Sequence, residues 1–410
     1  MRTFYMYSEK FFLIIISLVM SVSGILAQTK DITFINRSSV SLQDVMVELP
    51  VSQLKLPVGQ YESIIDGQIA APLEISEDIH GRQFALIPVA AIAKGEKINV
   101  HIRPGSGIRY PKRTYAELSH KEGHEYIPGT KYEGDFFWVK PNQMMLSGNF
   151  KNHSYYLKYE GPGWENDKVS FRFYLDDRNI IDVNGKKTSS IVLPAVGVDN
   201  FDSYHKMALW GMDNMKVGKA LGLGTIASWN GNKTRHIDTR DSTYCVVTND
   251  GKLRSQIKTI YYGWNTGEAK TTLTSLISLD AGSRASHVEL KLDEPVIQLA
   301  TGIIKDRKNA EYISPENIQG DWTYIATFGK QSLNNDNQGL VVFVKKAQVE
   351  KITEDELNYV VVFKAGSKNA DYYIMPTWEL DREPVVTKDD FMKCIHQVLD
   401  RLNNPLKIKI

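Results

Sequence analysis

The chain has 410 residues, with 49 Lys and Arg against 48 Asp and Glu. A net charge of +1 leaves no global field to collect nucleic acid or an anionic membrane surface, so any anion binding must be local. The composition, 42% apolar and 24% charged, excludes a disordered chain, and the length suits two ordinary domains or one very large sheet domain with an appendage.

Lys10 precedes an apolar run from Phe11 to Met20, and small residues follow through Gly24 and Ala27. The pattern predicts a secretory signal peptide over residues 1–27, cleaved near Ala27. The alternative is an uncleaved anchor, but the run is short for a bilayer and softened by serines and glycine. No Cys follows the run, which excludes a lipoprotein. The mature chain is therefore expected to be periplasmic or extracellular, with no membrane and no nucleic acid as partner.

Residues 28–104 predict a small β-sandwich part, from the runs Ile32–Ile35, Val45–Leu49, Phe84–Val89 and Ile98–Ile102 separated by turn signals such as Asp66-Gly67 and Lys94-Gly95. Arg103-Pro-Gly-Ser-Gly107 is a natural joint. Residues 105–410 predict a second, large unit of long strands, among them Tyr244–Thr248, Leu253–Tyr262, Thr271–Leu279, His287–Leu292, Leu340–Val344 and Tyr359–Lys364. One helix is expected, over 387–402: Thr387-Lys-Asp-Asp390 has capping-box form, and apolar residues follow at 391, 395, 398 and 402. Leu406, Ile408 and Ile410 alternate as a last strand. The fold class is all-β, a large antiparallel sandwich.

The segment Glu160 to Lys187 joins a Gly-Pro-Gly-Trp turn to an alternating strand. Val169, Phe171, Phe173 and Leu175 fall on one face; Ser170, Arg172, Tyr174 and Asp176 fall on the other. Beside Trp164 and Arg178, that polar face has the composition of a pocket for a polar, ring-shaped, anionic ligand.

This segment, with Tyr204 to Gly224, Tyr244 to Trp264 and Leu279 to Arg284 in the same order, resembles a family of exported bacterial domains of unknown function that sit among polysaccharide-utilisation enzymes. The resemblance implies a galactose mutarotase-like supersandwich, and its family includes ulvan-type oligosaccharide dehydratases. Asn184 departs from it, standing where an apolar or aromatic residue is expected before Gly185-Lys186. The implied activity is that of a carbon–oxygen lyase eliminating water from the non-reducing-end uronic acid of an anionic oligosaccharide.

Elimination needs a cation on the carboxylate, a base for the C5 proton and an acid for the departing C4 oxygen. Arg172 is assigned the carboxylate and Tyr174 the leaving group; Arg172 could instead pair structurally with Asp176 or Asp182. His153 or His205 is the base, since imidazole titrates near neutrality. Trp164 and Trp210 could stack on a sugar or fill a core, Arg178, Lys216 and Arg254 could bind substrate, and Arg254 could equally form a cross-strand ion pair. The rivals are a polysaccharide lyase, a glycoside hydrolase using carboxylates such as Glu165 and Asp213, and a non-catalytic carbohydrate-binding protein.

No cofactor is expected, although the acidic residues Asp167, Asp177 and Asp213 leave a bound calcium ion open. His120 and His124 stand four apart but lie in β context, a poor metal signal. The glycines of Val217 to Gly224 lack phosphate-loop spacing and read as tight turns. Cys245 and Cys394 are expected to be two buried thiols without a bridge.

Overall fold

The computed structural model describes residues 28–105, 110–123, 135–151, 155–199, 202–315 and 319–410, with backbone alone at 69 and 70. The expected signal peptide, His124 and His153 lie outside these residues.

The fold is the all-β antiparallel supersandwich anticipated above. Its spine is a nine-stranded sheet in the spatial order Gln143–Ser147, Ser242–Asp250, Arg254–Asn265, Lys270–Asp280, Ser286–Leu292, Asn369–Trp378, Gln338–Lys345, Trp322–Gly329 and Ala310–Ile313. Both faces of its middle are covered, which is why Leu340 to Val344 is an unbroken apolar run. Leu340, Val342 and Val344 enter the main core, while Val341 and Phe343 meet Phe391, Ile395 and Leu399 of the C-terminal helix.

That helix runs Lys388–Asn403 and starts as expected, with Thr387 Oγ1 accepting from the Asp390 amide. The other helix among the described residues, Val51–Leu54, is a single turn.

Two five-stranded sheets lie across the main core from the spine. One has the order Gly211–Asp213, Ile181–Lys186, Ser170–Phe173, Gly163–Asn166, Thr114–Glu117. The other has the order Thr234–Arg235, Ala227–Trp229, Leu299–Ile304, Asn358–Phe363, Val349–Glu354. The first sends Ala116, Trp164, Phe171, Phe173 and Val183 inward, each large side chain contributing roughly 1.5–3 kcal/mol by burial. Trp164 stacks on Phe171 at 5.2 Å and donates to Ser286 Oγ across the core.

The N-terminal strands form a five-stranded and a three-stranded sheet around their own core. The last strand, Lys407–Lys409, crosses back to pair with Lys30–Ile35, so the chain's end completes the N-terminal sheet. Gly222 and Gly224, both at positive φ, meet the Ile181 carbonyl and the Ile374 side chain where a Cβ would stand, so tight turns and close approach account for them. Cys245 and Cys394 are free thiols, the first fully buried.

Candidate active site

Strand alternation gives the first five-stranded sheet a second face that points away from the core. In register across it stand Glu117, Gly163, Arg172 and Asp182, and beside them Tyr115, Glu165, Ser170, Asn184 and Asp213. Such a row would ordinarily face water. Here it is buried, because residues 157–161, 191–199 and 202–205 cover it with Leu193, Val196 and Tyr204.

Two ion pairs tie this cover down. Lys186 Nζ lies 2.6 Å from Glu165 Oε2, and Glu165 Oε1 accepts from the backbone amides of Val192 and Leu193 at 2.8 and 2.7 Å. Lys158 Nζ donates to Glu117 Oε1 at 2.8 Å and to the carbonyls of Leu193 and Pro194. The Tyr159 hydroxyl also donates to Glu117. Gly163 leaves room for this, since a Cβ there would stand 2.8 Å from the Tyr159 ring.

A third group is larger. Arg172, 1% exposed, donates through Nη2 to Asp213 Oδ2 at 2.5 Å, Asp182 Oδ2 at 2.8 Å and the Tyr174 hydroxyl at 3.1 Å. Its Nη1 donates to Glu160 Oε2 and to the Tyr159 carbonyl, both at 3.0 Å. Tyr174 in turn donates to Asp182 Oδ2 at 2.5 Å. Arg178 closes the far side with Asp176 at 2.6 Å and a further bond to Glu160, its guanidinium 4.0 Å from the Tyr174 ring.

Tyr159 and Glu160 both take left-handed backbone, at φ 37 and 70. Such strain costs on the order of 1–3 kcal/mol per residue and collects at functional sites. It persists here because both side chains are held by the ion network.

Four carboxylates against two guanidiniums leave this group short of positive charge. Burial, and then the Asp213 charge, push Asp182 up to about 7. Burial likewise raises Asp213 against the pull of Arg172. Burial works on Glu160 as well, but Arg172 and Arg178 outweigh it and hold that carboxyl below its ordinary value. The buried pair Asp182 and Asp213 therefore retains a proton more readily than ordinary carboxylates do.

The group reaches solvent at two points. His205 Nε2 stands 3.3 Å from Asp213 Oδ2 with its side chain 31% exposed, and its ring lies 4.4 Å from Tyr204. Arg178 is 20% exposed, and its Nη1 has no hydrogen bond among the described residues.

The expected site residues thus divide. Arg172, Tyr174, Arg178 and His205 come together as one cluster. The roles expected of Arg172 and Tyr174 need correction: three protein carboxylates occupy the Arg172 fork, and the Tyr174 phenol is sealed as a donor to Asp182, with burial raising it far above its ordinary value. Of the two structural partners foreseen for Arg172, Asp182 is the one it meets. Trp164 belongs to the core on the opposite face and cannot stack on a ligand.

Trp210 packs on the covering segment with Tyr204 and Leu193. Lys216 Nζ bonds Asn335 Oδ1 at 2.8 Å, and Arg254 forms the cross-strand ion pair, with Asp280, on the spine sheet. Glu165 is sealed by Lys186, which removes it as a hydrolase carboxylate. His120 sits on the strand His120–Glu122, so a helical i, i+4 pair does not arise there. Among the described residues no group of three His, Cys, Asp or Glu could hold a metal.

Sequence reasoning missed Tyr159, Glu160 and Tyr204. Glu160 carried a usable signal, an acid directly before Gly-Pro-Gly, but its partner Arg172 lies twelve residues away across a strained turn.

A family model described as Domain of unknown function (DUF4861) matches residues 35–408. "Uncharacterized protein P7" of Formosa agariphila is 24% identical over 269 residues, covering 60% of this chain and 66% of that protein. The chain therefore spans just under two thirds of that relative's length. Two solved structures from Enterococcus faecalis, a protein in the glycosyl hydrolase family 38 and an alpha-mannosidase, are similar with TM-scores of 0.47 and 0.46 at 9% and 8% identity. Each comparison covers 93% of this chain and about half of the other, 47% and 46%.

Proposed function

The chain belongs to the DUF4861 family, and we propose that it is an exported carbohydrate-active enzyme working by general acid–base catalysis at His205. The specific reaction we propose is elimination of water from a uronic acid at the non-reducing end of an oligosaccharide. The observation that carries the proposal is the contact of His205 Nε2 with Asp213 Oδ2 at 3.3 Å, at the edge where a buried ion network meets solvent.

Asp213 orients the imidazole and stabilises its protonated form, the role a carboxylate plays behind a catalytic histidine. Arg172 fixes Asp213 and limits how strongly it draws on the proton. His205 takes the C5 proton, the C–H electrons form the C4–C5 double bond, and the C4–O bond breaks. The proton held on the imidazole leaves with that oxygen as water, so atoms and charge balance without a second acid. Arg178, with its unengaged Nη1, neutralises the substrate carboxylate and makes C5–H acidic. Arg172 and Tyr174 act as positioning residues.

A hydrolase would need two accessible carboxylates. Asp182 and Asp213, which share one guanidinium nitrogen of Arg172, are the candidate pair in the cluster. Their exposures of 1% and 2% leave no route for a sugar between them, which favours the histidine chemistry.

The test is incubation of the mature protein with saturated oligosaccharides ending in glucuronate, iduronate or galacturonate. Ultraviolet absorbance of an unsaturated end and loss of one water by mass are expected for one of them. No product from any of the three would sink the elimination.

A further inference from the structure

The outer face of the spine sheet carries a second polar assembly that this chemistry does not use. A cavity of about 430 Å³ opens where the strand Leu42–Pro50, that sheet face and the end of the helix Lys388–Asn403 meet. The size lies within the range of small-molecule sites, about 300–1,000 Å³. Its walls carry Arg254, His287, Trp322, Lys345, Tyr373 and Arg401.

Most of its charge is matched internally. Arg254 forks onto Asp280 at 2.6 and 3.0 Å and reaches Glu48 at 2.6 Å. Asp371 takes His287 Nε2 at 2.5 Å on one side and the Lys345 ammonium on the other. Arg401 differs. Among the described residues its hydrogen bonds go to neutral groups, the Asp44 carbonyl at 2.8 Å and Ser283 Oγ at 3.4 Å, and it makes no ion pair. Burial pulls its pKa down, against the opposing charges of Tyr373, Asp280 and Asp44, and neither aspartate carboxylate forms an ion pair with it. A guanidinium has five donors, so most of the fork is unspent.

The aromatic rings beside it are fixed in place. Tyr373 stacks on His287 at 4.2 Å with 8° between planes and meets Trp322 edge-on at 5.4 Å. The Lys345 ammonium lies 5.0 Å from the Trp322 ring. A desolvated fork with spare donors suits an oxyanion, and a rigid aromatic wall suits a ring.

We propose that this seam is a second binding site, on the far side of the spine sheet from His205, for the anionic ring of a saccharide, with Arg401 and Lys345 taking a carboxylate or sulfate ester and Trp322 and Tyr373 packing the ring. The oxyanion follows from the geometry, while the choice of a saccharide rests on the carbohydrate-active function proposed above. Occupying the seam clamps the N-terminal strands, the spine sheet and the helix end together, which gives the enzyme a hold on its polymer apart from the reacting end.

Calorimetric titration of the mature protein with sodium glucuronate, glucose 6-sulfate, glucose and sodium sulfate tests this. Glucuronate or glucose 6-sulfate should bind at least about tenfold more tightly than glucose, and Arg401→Gln and Lys345→Gln should each weaken that binding about tenfold or more, the loss expected for one charge-assisted hydrogen bond. His205→Ala should leave it unchanged. Lys345 is 38% exposed, so its variant keeps the test sound if Arg401→Gln disturbs folding. Unchanged binding in both variants would overturn the seam site, and so would sulfate binding as tightly as the sugars. Missing elimination product with intact seam binding counts against the catalytic proposal alone.

Discussion

Asp182→Asn separates the electrostatics of the cluster from its packing. Asp182 is 1% exposed and shares the Arg172 Nη2 with Asp213, and burial followed by the Asp213 charge raises its carboxyl from an ordinary 3.8 to about 7. The folded chain thus holds this proton more tightly than the unfolded chain. The resulting stability is complete below about pH 4 and is lost as pH rises through about 7. A rise of that size corresponds to on the order of 4 kcal/mol across the window, at most about 1.4 kcal/mol per pH step.

Asparagine cannot ionise, so the variant lacks this slope. It also carries a constant penalty of about 1–3 kcal/mol, because Oδ1 accepts from the Val183 amide and Oδ2 from Tyr174 and Arg172, and an amide NH2 must now face one of these donors. Urea unfolding of both proteins from pH 4.5 to 8.5 should give curves that converge as pH rises, the wild type losing more. Because the two carboxyls titrate together, the slope belongs to the pair. Parallel curves would refute the claim that Asp182 and Asp213 retain a proton in the folded chain.

His205→Ala should cut turnover of a uronate-ended substrate by about 10²-fold or more, as for loss of a general base. The side chain is 31% exposed, so stability by urea unfolding should stay within about 0.5 kcal/mol of wild type. Lys186→Met leaves Glu165 buried without its cation, and a loss of about 3–5 kcal/mol in unfolding free energy is expected. Gly185→Ala places a Cβ 2.1 Å from Cε3 of the buried Trp378 ring, which cannot yield, so a midpoint shift worth about 1–3 kcal/mol in a thermal melt is expected.

Much of the fold was legible because strand alternation and turn residues are local signals. Six long strands of the large unit fall where their apolar runs placed them, and the helix starts at the residue its capping box marked. The polar row containing Arg172 and Tyr174 was legible for the same reason, since period two fixes which side chains share a face. Its burial was not. Nothing local to Ser170–Phe173 reveals that residues 157–161, 191–199 and 202–205 fold over it, so a row that looks like an open pocket wall becomes an internal ion network.

The role of each charge changed accordingly. Arg172 could be assigned a substrate carboxylate only while its neighbours were unknown. Glu160, Asp182 and Asp213 come from three separate stretches and meet on one guanidinium. Trp164 shows the same limit in reverse, because a Gly-Pro-Gly-Trp turn suits a stacking platform or a core anchor equally well, and only the facing Phe171 and Ser286 decide between them.

The sequence by itself determined the all-β class, the terminal helix, the alternation of the sheet and the residues from which a site could be built. These follow from backbone geometry and hydrophobic periodicity, which act over a few residues. The tertiary structure alone decided which of those residues remain within reach of a ligand. Access and proton affinity depend on desolvation and on charges brought together from distant stretches, and by that measure His205 and Arg178 lie at the open edge while Arg172 and Tyr174 hold the cluster from within.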